Sequence, residues 1–396
     1  MKTLNCLLAG SFVLGMVLAA PVGASAGNHA VDACHAAYVT QNGTVITVSP
    51  TGVDDTDNIQ CAFDAAVAAG PGTTVKLVEG TYHTQQIVVN DFVGTFTGAG
   101  AENTIVMNLP NLFVTPVDTF LNPPGPDNPW PSLFAFVNGD FLVSEPAIHI
   151  TGETPTTGWS VPGIPLIREL ADGITIDGTN ANASFYRLLI EGEEAENTIF
   201  GFNLINGIFY EGLIGAAPPP ISGSFAVHDS IFRRLASGTP IVNLSGASVV
   251  ISRNTFEDVF FGMDGGDIEN TTFVFSHNKV NALVGLDLYD AGLAPFGAES
   301  SKILIKNNVF RGQFGPIVEP TFSGGTDCLL LGNNVQKVSE LGILLGPGTS
   351  HCTVVGGSNK TNVLDLGTDN VLVGVNNMGS GVGPTIRTFL KMMKNP

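Results

Sequence analysis

Five stretches of the 396-residue chain decide its fold: FAVHDSIF (225–232), VVISRNTF (249–256), FVFSHNKV (273–280), ILIKNNVF (303–310) and LLLGNNVQ (329–336). Each is an alternating apolar strand that runs into Asn or Asp and then resumes with another apolar residue. Taken on Asp229, Asn254, Asn278, Asn308 and Asn334, the spacings are 25, 24, 30 and 26 residues. A period in the twenties that carries strand alternation is the mark of a solenoid whose unit is one coil of chain. The leucine pattern of leucine-rich repeats is absent. At about 3.3 Å per strand residue, a coil of roughly 24 residues holds three short strands and three turns, and stacked coils build parallel sheets. Inward side chains then form columns. The recurring Asn reads as one such column, a structural ladder of amides bonded along the stack. Phe256 and Phe310, two residues after Asn254 and Asn308, read as a second.

Working outward, the composition agrees with one all-β domain. Gly (48 residues) supplies many tight turns without a collagen period, and 44% hydrophobic content with 13% charge excludes a disordered chain and a coiled coil. A formal net charge of −19 excludes nucleic-acid binding by basic charge. Lys2, the apolar stretch from Leu7 to Ala20 and the small residues Ala24, Ser25 and Ala26 read as a signal peptide over residues 1–26. Residues 27–396 are then one exported domain, extracellular or periplasmic, with regular coils over 197–377 and no membrane span. Loss of Lys2 takes the net charge from −19 to −20. Cys34, Cys61, Cys328 and Cys352 remain. An oxidising compartment permits disulfides among three connectivities, Cys34 with Cys61 and Cys328 with Cys352 being the local choice; free buried thiols are the alternative.

Residues 53–84, VDDTDNIQCAFDAAVAAGPGTTVKLVEGTYHT, predict a helix that starts at the Asp-Thr-Asp cluster, carries Ile59, Phe63 and Val67, stops at Gly-Pro-Gly and leads into a strand. The segment resembles the opening of the pectate-lyase-like, right-handed parallel β-helix superfamily. The match lies in Asp54, Asp55, Thr56, Ile59, Gln60, Ala62, Ala65 and Ala66, followed by Val75, Leu77, Gly80, Thr81 and Tyr82. FTGAGAENTIV (96–106) resembles the next turn. The resemblance implies a right-handed parallel β-helix whose N-terminal helix caps the first coil. It implies no single activity, since that superfamily holds lyases, hydrolases, epimerases, tailspikes and adhesins. An acidic helix start explains Asp54, Asp55 and Asp57, with calcium the alternative.

Residues 109–172 are rich in proline and read as an excursion from the coils, holding Trp130 and Trp159 as candidates to stack on sugar rings or to pack the excursion down. AAPPPISGS (216–224) reads as a second loop. About ten residues after each ladder position, strand alternation aligns Asn243, Asp264, Asp287 and Glu319 in one outward column, with Asp267 and Asp290 beside it. Carboxylates on coils about 4.8 Å apart need a cation, a basic neighbour or a raised pKa. Asp264, Asp287 and Glu319 are therefore candidate acid–base residues or candidate calcium ligands. Arg311 is the candidate basic catalytic partner; Asn243, Asp267, Asp290 and Lys337 are candidate substrate contacts, with Arg233 and Arg234 further basic candidates. His228, Arg253 and His277 precede the ladder and read as an outward turn column. The superfamily's enzymes bind polysaccharide along the equivalent sheet, so the resemblance implies a polysaccharide lyase or glycoside hydrolase. A non-catalytic glycan-binding or structural protein is the alternative, because the hydrolase tripeptide NTD, a paired DD on the next coil, G-H-G and R-I-K are absent.

Overall fold

The structure, a computed structural model, describes residues 34–109, 132–150, 170–192, 204–211, 223–289, 301–319, 327–347, 349–356 and 361–378. It is a right-handed parallel β-helix with one helix, α1 (Thr56–Ala69), at its N-terminal end. A single antiparallel pair, Val39–Asn42 with Val45–Val48, starts the stack; every later strand pairing among the described residues is parallel. Residues 1–33, Trp130, Trp159 and Asp290 lie outside the described residues. Within the stretch 109–172, expected to be an excursion, Ser132–Ser144 and Ala147–Ile150 are strands in register with the coils before and after. Their apolar content (LFAFV, AIHI) overrode the signal of the surrounding prolines.

The cap works through its buried face. Ile59, Ala62, Phe63, Ala65 and Ala66 are buried, whereas Val67, placed on that face by the sequence pattern, is exposed. Phe63 meets the rings of Phe92, Phe96, Phe134 and Phe136 edge-on, with centroids 5.1–6.4 Å away, and so closes the core. Gln60 imitates a neighbouring strand: its amide donates to the Val88 carbonyl at 2.8 Å and accepts from the Val88 N–H at 3.0 Å. Asp55 is fully buried and accepts from the Thr51 and His83 amides at 2.6 and 3.0 Å, tying the helix start to the strand Gly80–Thr84. These bonds satisfy a sheet edge that would otherwise recruit another chain.

The ladder runs through Ser230, Asn254, Asn278, Asn308 and Asn333. Each Asn Oδ1 accepts the amide of the preceding ladder residue at 2.8–3.1 Å, and each Nδ2 donates to a strand carbonyl, Asn254 to Val227, Asn278 to Ile251, Asn308 to Phe275 and Asn333 to Ile305. The two ends therefore differ from the sequence reading, which placed Asp229 and Asn334 in the column. Asp229 instead opens the turn with φ +55, level with Arg253, His277 and Asn307. Their common left-handed backbone turns the chain one residue before each ladder position. In LLLGNNVQ the turn residue is Gly332, so the first Asn, not the second, is the ladder member.

A column of glycines was not anticipated. Gly173, Gly207, Gly238, Gly262, Gly285, Gly315 and Gly342 occupy matched positions in successive coils. A Cβ on any of them would come within 2.0–2.8 Å of the next coil's backbone oxygen or of a core side chain. The column marks a corner where coils stack too closely for a side chain. Two disulfides, Cys34–Cys61 and Cys328–Cys352, tie the N-terminal segment to the cap and join neighbouring coils near the C-terminal end.

Candidate functional site

Two outward columns flank the glycine corner. Before it stand Ser237, Phe261, Val284, Phe314 and Leu341. Two residues after it stand Pro240, Asp264, Asp287, Ile317, Leu344 and Leu364. Asp264 and Asp287 are thus directly paired on neighbouring coils, as alternation predicts, and among these described residues no other carboxylate joins them in either column. Inward, Met263, Leu286 and Leu288 fill the core between them. The carboxylates sit where Ser237 gives way to an apolar cluster of Val284, Phe314, Ile317, Leu341, Leu344 and Leu364, separate from the solenoid core.

The remaining members of the expected column fall elsewhere. Glu319 is level with Tyr289 and Ile317 with Asp287; Asn243, between Val242 and Leu244, is level with Asp267. A bulge is one contribution; it does not explain Asn243, which lies in a bulged coil three residues beyond Pro240. Arg234 and Asp258, with φ +52 and +54, add one residue between ladder and corner in two coils, and the register shifts at Glu257/Val259. An offset of ten residues from the ladder therefore reaches Asp264 but overshoots by one in the next two coils, whereas Glu319 lies two residues beyond Ile317, the neighbour of Asp287. In register Glu319 stands two residues beyond the level of Asp287, and among the described residues no group of three His, Cys, Asp or Glu is placed to hold a metal. Asp267 shares the strand of Asp264, three residues on.

Arg311 and Lys337 also leave the site. They are level with each other and with Asn281 and Glu257, on the far side of the bend at Gly312. Arg311 lies six residues before Ile317, roughly 20 Å of extended chain. Arg233 is engaged by Glu257 at 2.9 Å, and Arg234 by Glu191 at 2.6 Å and the Gly192 carbonyl at 3.0 Å. His228 belongs to a strand rather than the turn column, its Nδ1 2.5 Å from Ser252 Oγ, and burial holds its pKa below the usual value. Arg253 pairs with Asp229 at 2.8 Å, which lowers the Asp229 pKa; His277 Nε2 lies 3.3 Å from Asn307 Nδ2.

What remains is an enclosed acid pair. Asp287 is 4% exposed. Asp264 keeps part of its surface open, yet protein packed around its carboxyl dominates, and this desolvation pushes its pKa up to about 7. On the preceding coil the Ser237 hydroxyl is buried with no hydrogen-bond partner among the described residues, a group that costs on the order of 1–3 kcal/mol unless something satisfies it. Ser237 carried no signal in sequence; the glycine that follows it, repeated coil by coil, was the available clue. The arrangement can hold one carboxyl protonated beside a second carboxyl at neutral pH.

No protein-family model matches the chain, and no curated sequence matches it as a relative. Solved structures resemble it in coil architecture. The A-module of the Azotobacter vinelandii mannuronan C-5 epimerase AlgE6 shares 15% identity over 84% of this chain and 93% of that one, with a TM-score of 0.37. PfbA, a surface adhesin of Streptococcus pneumoniae, shares 13% over 86% and 94% at 0.36. The Yersinia enterocolitica family 28 exopolygalacturonase shares 9% over 85% and 77% at 0.36. At such identities the likeness extends no further than the fold, which the strand register establishes independently.

Proposed function

We propose that this chain is an exported carbohydrate-active protein that hydrolyses a glycosidic bond, with Asp264 as the acid and Asp287 as its carboxylate partner. The observation that carries the reading is the direct pairing of Asp264 with Asp287 on neighbouring coils, with Asp264 displaced to a pKa of about 7. General acid catalysis is best served by a group that titrates near the working pH. A coil spacing of about 4.8 Å is close to the separation of about 5–5.5 Å at which the second carboxyl acts as nucleophile, so the anomeric configuration would be retained. Hydrolysis is favoured over β-elimination because the two columns around the acids, as far as they are described, hold no Lys or Arg to neutralise a uronate. For the same reason the substrate is a neutral glycan. Export rests on the signal-like residues 1–26, and two disulfides suit an oxidising compartment. No helix among the described residues is long and apolar enough to cross a membrane.

The near-complete burial of Asp287 favours a second reading, a non-catalytic glycan-binding or structural β-helix in which the acids are enclosed. A panel of neutral and acidic polysaccharides, with and without calcium, separates the two when new reducing ends and unsaturated sugars are followed together. Reducing ends from a neutral glycan, no unsaturated product, and a loss of about 100-fold or more in Asp264→Asn and Asp287→Asn are expected. No product, unsaturated product, or variants as active as the parent would overturn the proposal.

A further inference from the structure

The chain treats its cations differently at its two ends. Up to the strand Thr255–Glu269, cations at the turn and on the sheet after the ladder are answered by carboxylates: Arg187 by Glu145, Arg234 by Glu191, Arg253 by Asp229 and Arg233 by Glu257. In the next three coils the same sheet carries Lys279, Arg311 and Lys337, all exposed and without a carboxylate partner among the described residues. Arg311 and Lys337 are directly opposite each other, an arrangement that costs a sheet on the order of 0.2–1 kcal/mol. Lys279 stands one coil before Arg311 and two residues along the strand, roughly 8 Å away diagonally. Of the acids nearby, Glu257 and Asp258 lie two coils before Arg311 and are engaged by Arg233 and Asn281, and Glu340, on the strand of Lys337, comes after the bend level with Gly312. The turn column beside it also turns from charged to neutral, ending in Asn307 and Gly332. Lys302, on the preceding sheet, faces Asp327 in the next coil and is not part of the set.

We infer that Lys279, Arg311 and Lys337 form an anchoring surface for an acidic polysaccharide, on a different sheet from Asp264 and Asp287. In a chain of net charge −19, three adjacent cations that no described carboxylate answers are a local exception that an anionic partner would relieve. The strip is three coils wide, roughly 10 Å, which suits a few acidic groups along a linear glycan. A duplex nucleic acid, with one charge per about 1.7 Å, would meet the repulsion of the rest of the surface. The anchored acidic glycan is a different polymer from the neutral one proposed at the acid pair, and the inference does not depend on the hydrolase reading, because the three residues stand on another sheet.

Binding of the purified protein to polygalacturonate, dextran sulfate, neutral dextran and an oligonucleotide tests it, at about 20 mM and about 300 mM NaCl. Binding to one or both acidic glycans is expected at low salt, at least tenfold weaker at high salt, with none to dextran. Which of the two binds identifies the acidic group as carboxylate or sulfate. The double variant Arg311→Gln, Lys337→Gln should weaken binding at least tenfold with a urea midpoint no lower than the parent's, while Lys302→Gln, on the preceding sheet, binds like the parent. Equal binding to dextran, tighter binding to the oligonucleotide, no binding at low salt, or a double variant that binds as the parent does would each overturn the inference.

Discussion

Replacing Asp264 by Asn removes a group whose ionisation the fold opposes. Its pKa rises from the ordinary 3.8 to about 7 through burial, so between these values the folded protein holds a proton that the unfolded chain has released. Such a group leaves stability intact below about pH 4 and withdraws it as pH climbs through 7. Three units of displacement at about 1.36 kcal/mol each correspond to about 4 kcal/mol at pH 8, and to about 1.5 kcal/mol at pH 5. Local relaxation makes the first figure an upper one. Asn imitates the protonated acid in shape and cannot ionise. Asp264→Asn should therefore exceed the parent in stability by an amount that grows from pH 5 to pH 8. Urea midpoints of both proteins at half-unit pH steps measure this, and parental activity should decline above about pH 7 while the variant is inactive throughout. Parallel stability curves for parent and variant would show that the carboxyl is not desolvated, and Asp264 would lose its claim to be the acid.

Asn278→Ala removes the acceptor for the Asn254 amide and side chain and the donor to Ile251, all buried, and should cost about 3–5 kcal/mol in urea denaturation. Asp229→Asn, one residue off the ladder, keeps the left-handed turn, loses only an exposed ion pair and should cost under about 1 kcal/mol. The same assay orders Asn333→Ala well above Asn334→Ala; the reverse order would refute the assignment of Asn333 to the ladder. Gly315→Ala places a methyl 2.0 Å from the Gly342 carbonyl, backbone that cannot step aside, so a loss of more than about 3 kcal/mol or failure to fold is expected. A thermal midpoint equal to that of the parent would mean that the corner is looser than described.

The coil repeat, the cap and the local pairing of the cysteines were legible because each rests on short-range pattern. An alternating strand that ends in Asn is visible in eight residues, and a helix start needs only its own turn. The acid column was half legible. Alternation alone decides that Asp264 and Asp287 face outward, but lateral alignment depends on how many residues each coil spends between ladder and corner. One extra left-handed residue at Arg234 and Asp258 changes that number without a distinctive residue type to announce it. The same one-residue ambiguity misplaced both ends of the ladder, where Asp229 precedes Ser230 and Asn333 precedes Asn334.

Periodicity, then, was enough for a stacked solenoid with an acidic, carboxylate-bearing sheet, since inward and outward positions follow from the strand's period of two. Which carboxylates meet was settled only by the stacking of coils, because vertical neighbours are distant in sequence and their register accumulates every bulge between them. Packing likewise separated Arg311 and Lys337 from the acids that they were expected to assist, by placing a bend between them. It also gave the glycines their meaning: each is unremarked alone, and only the close approach of one coil to the next forbids a side chain there.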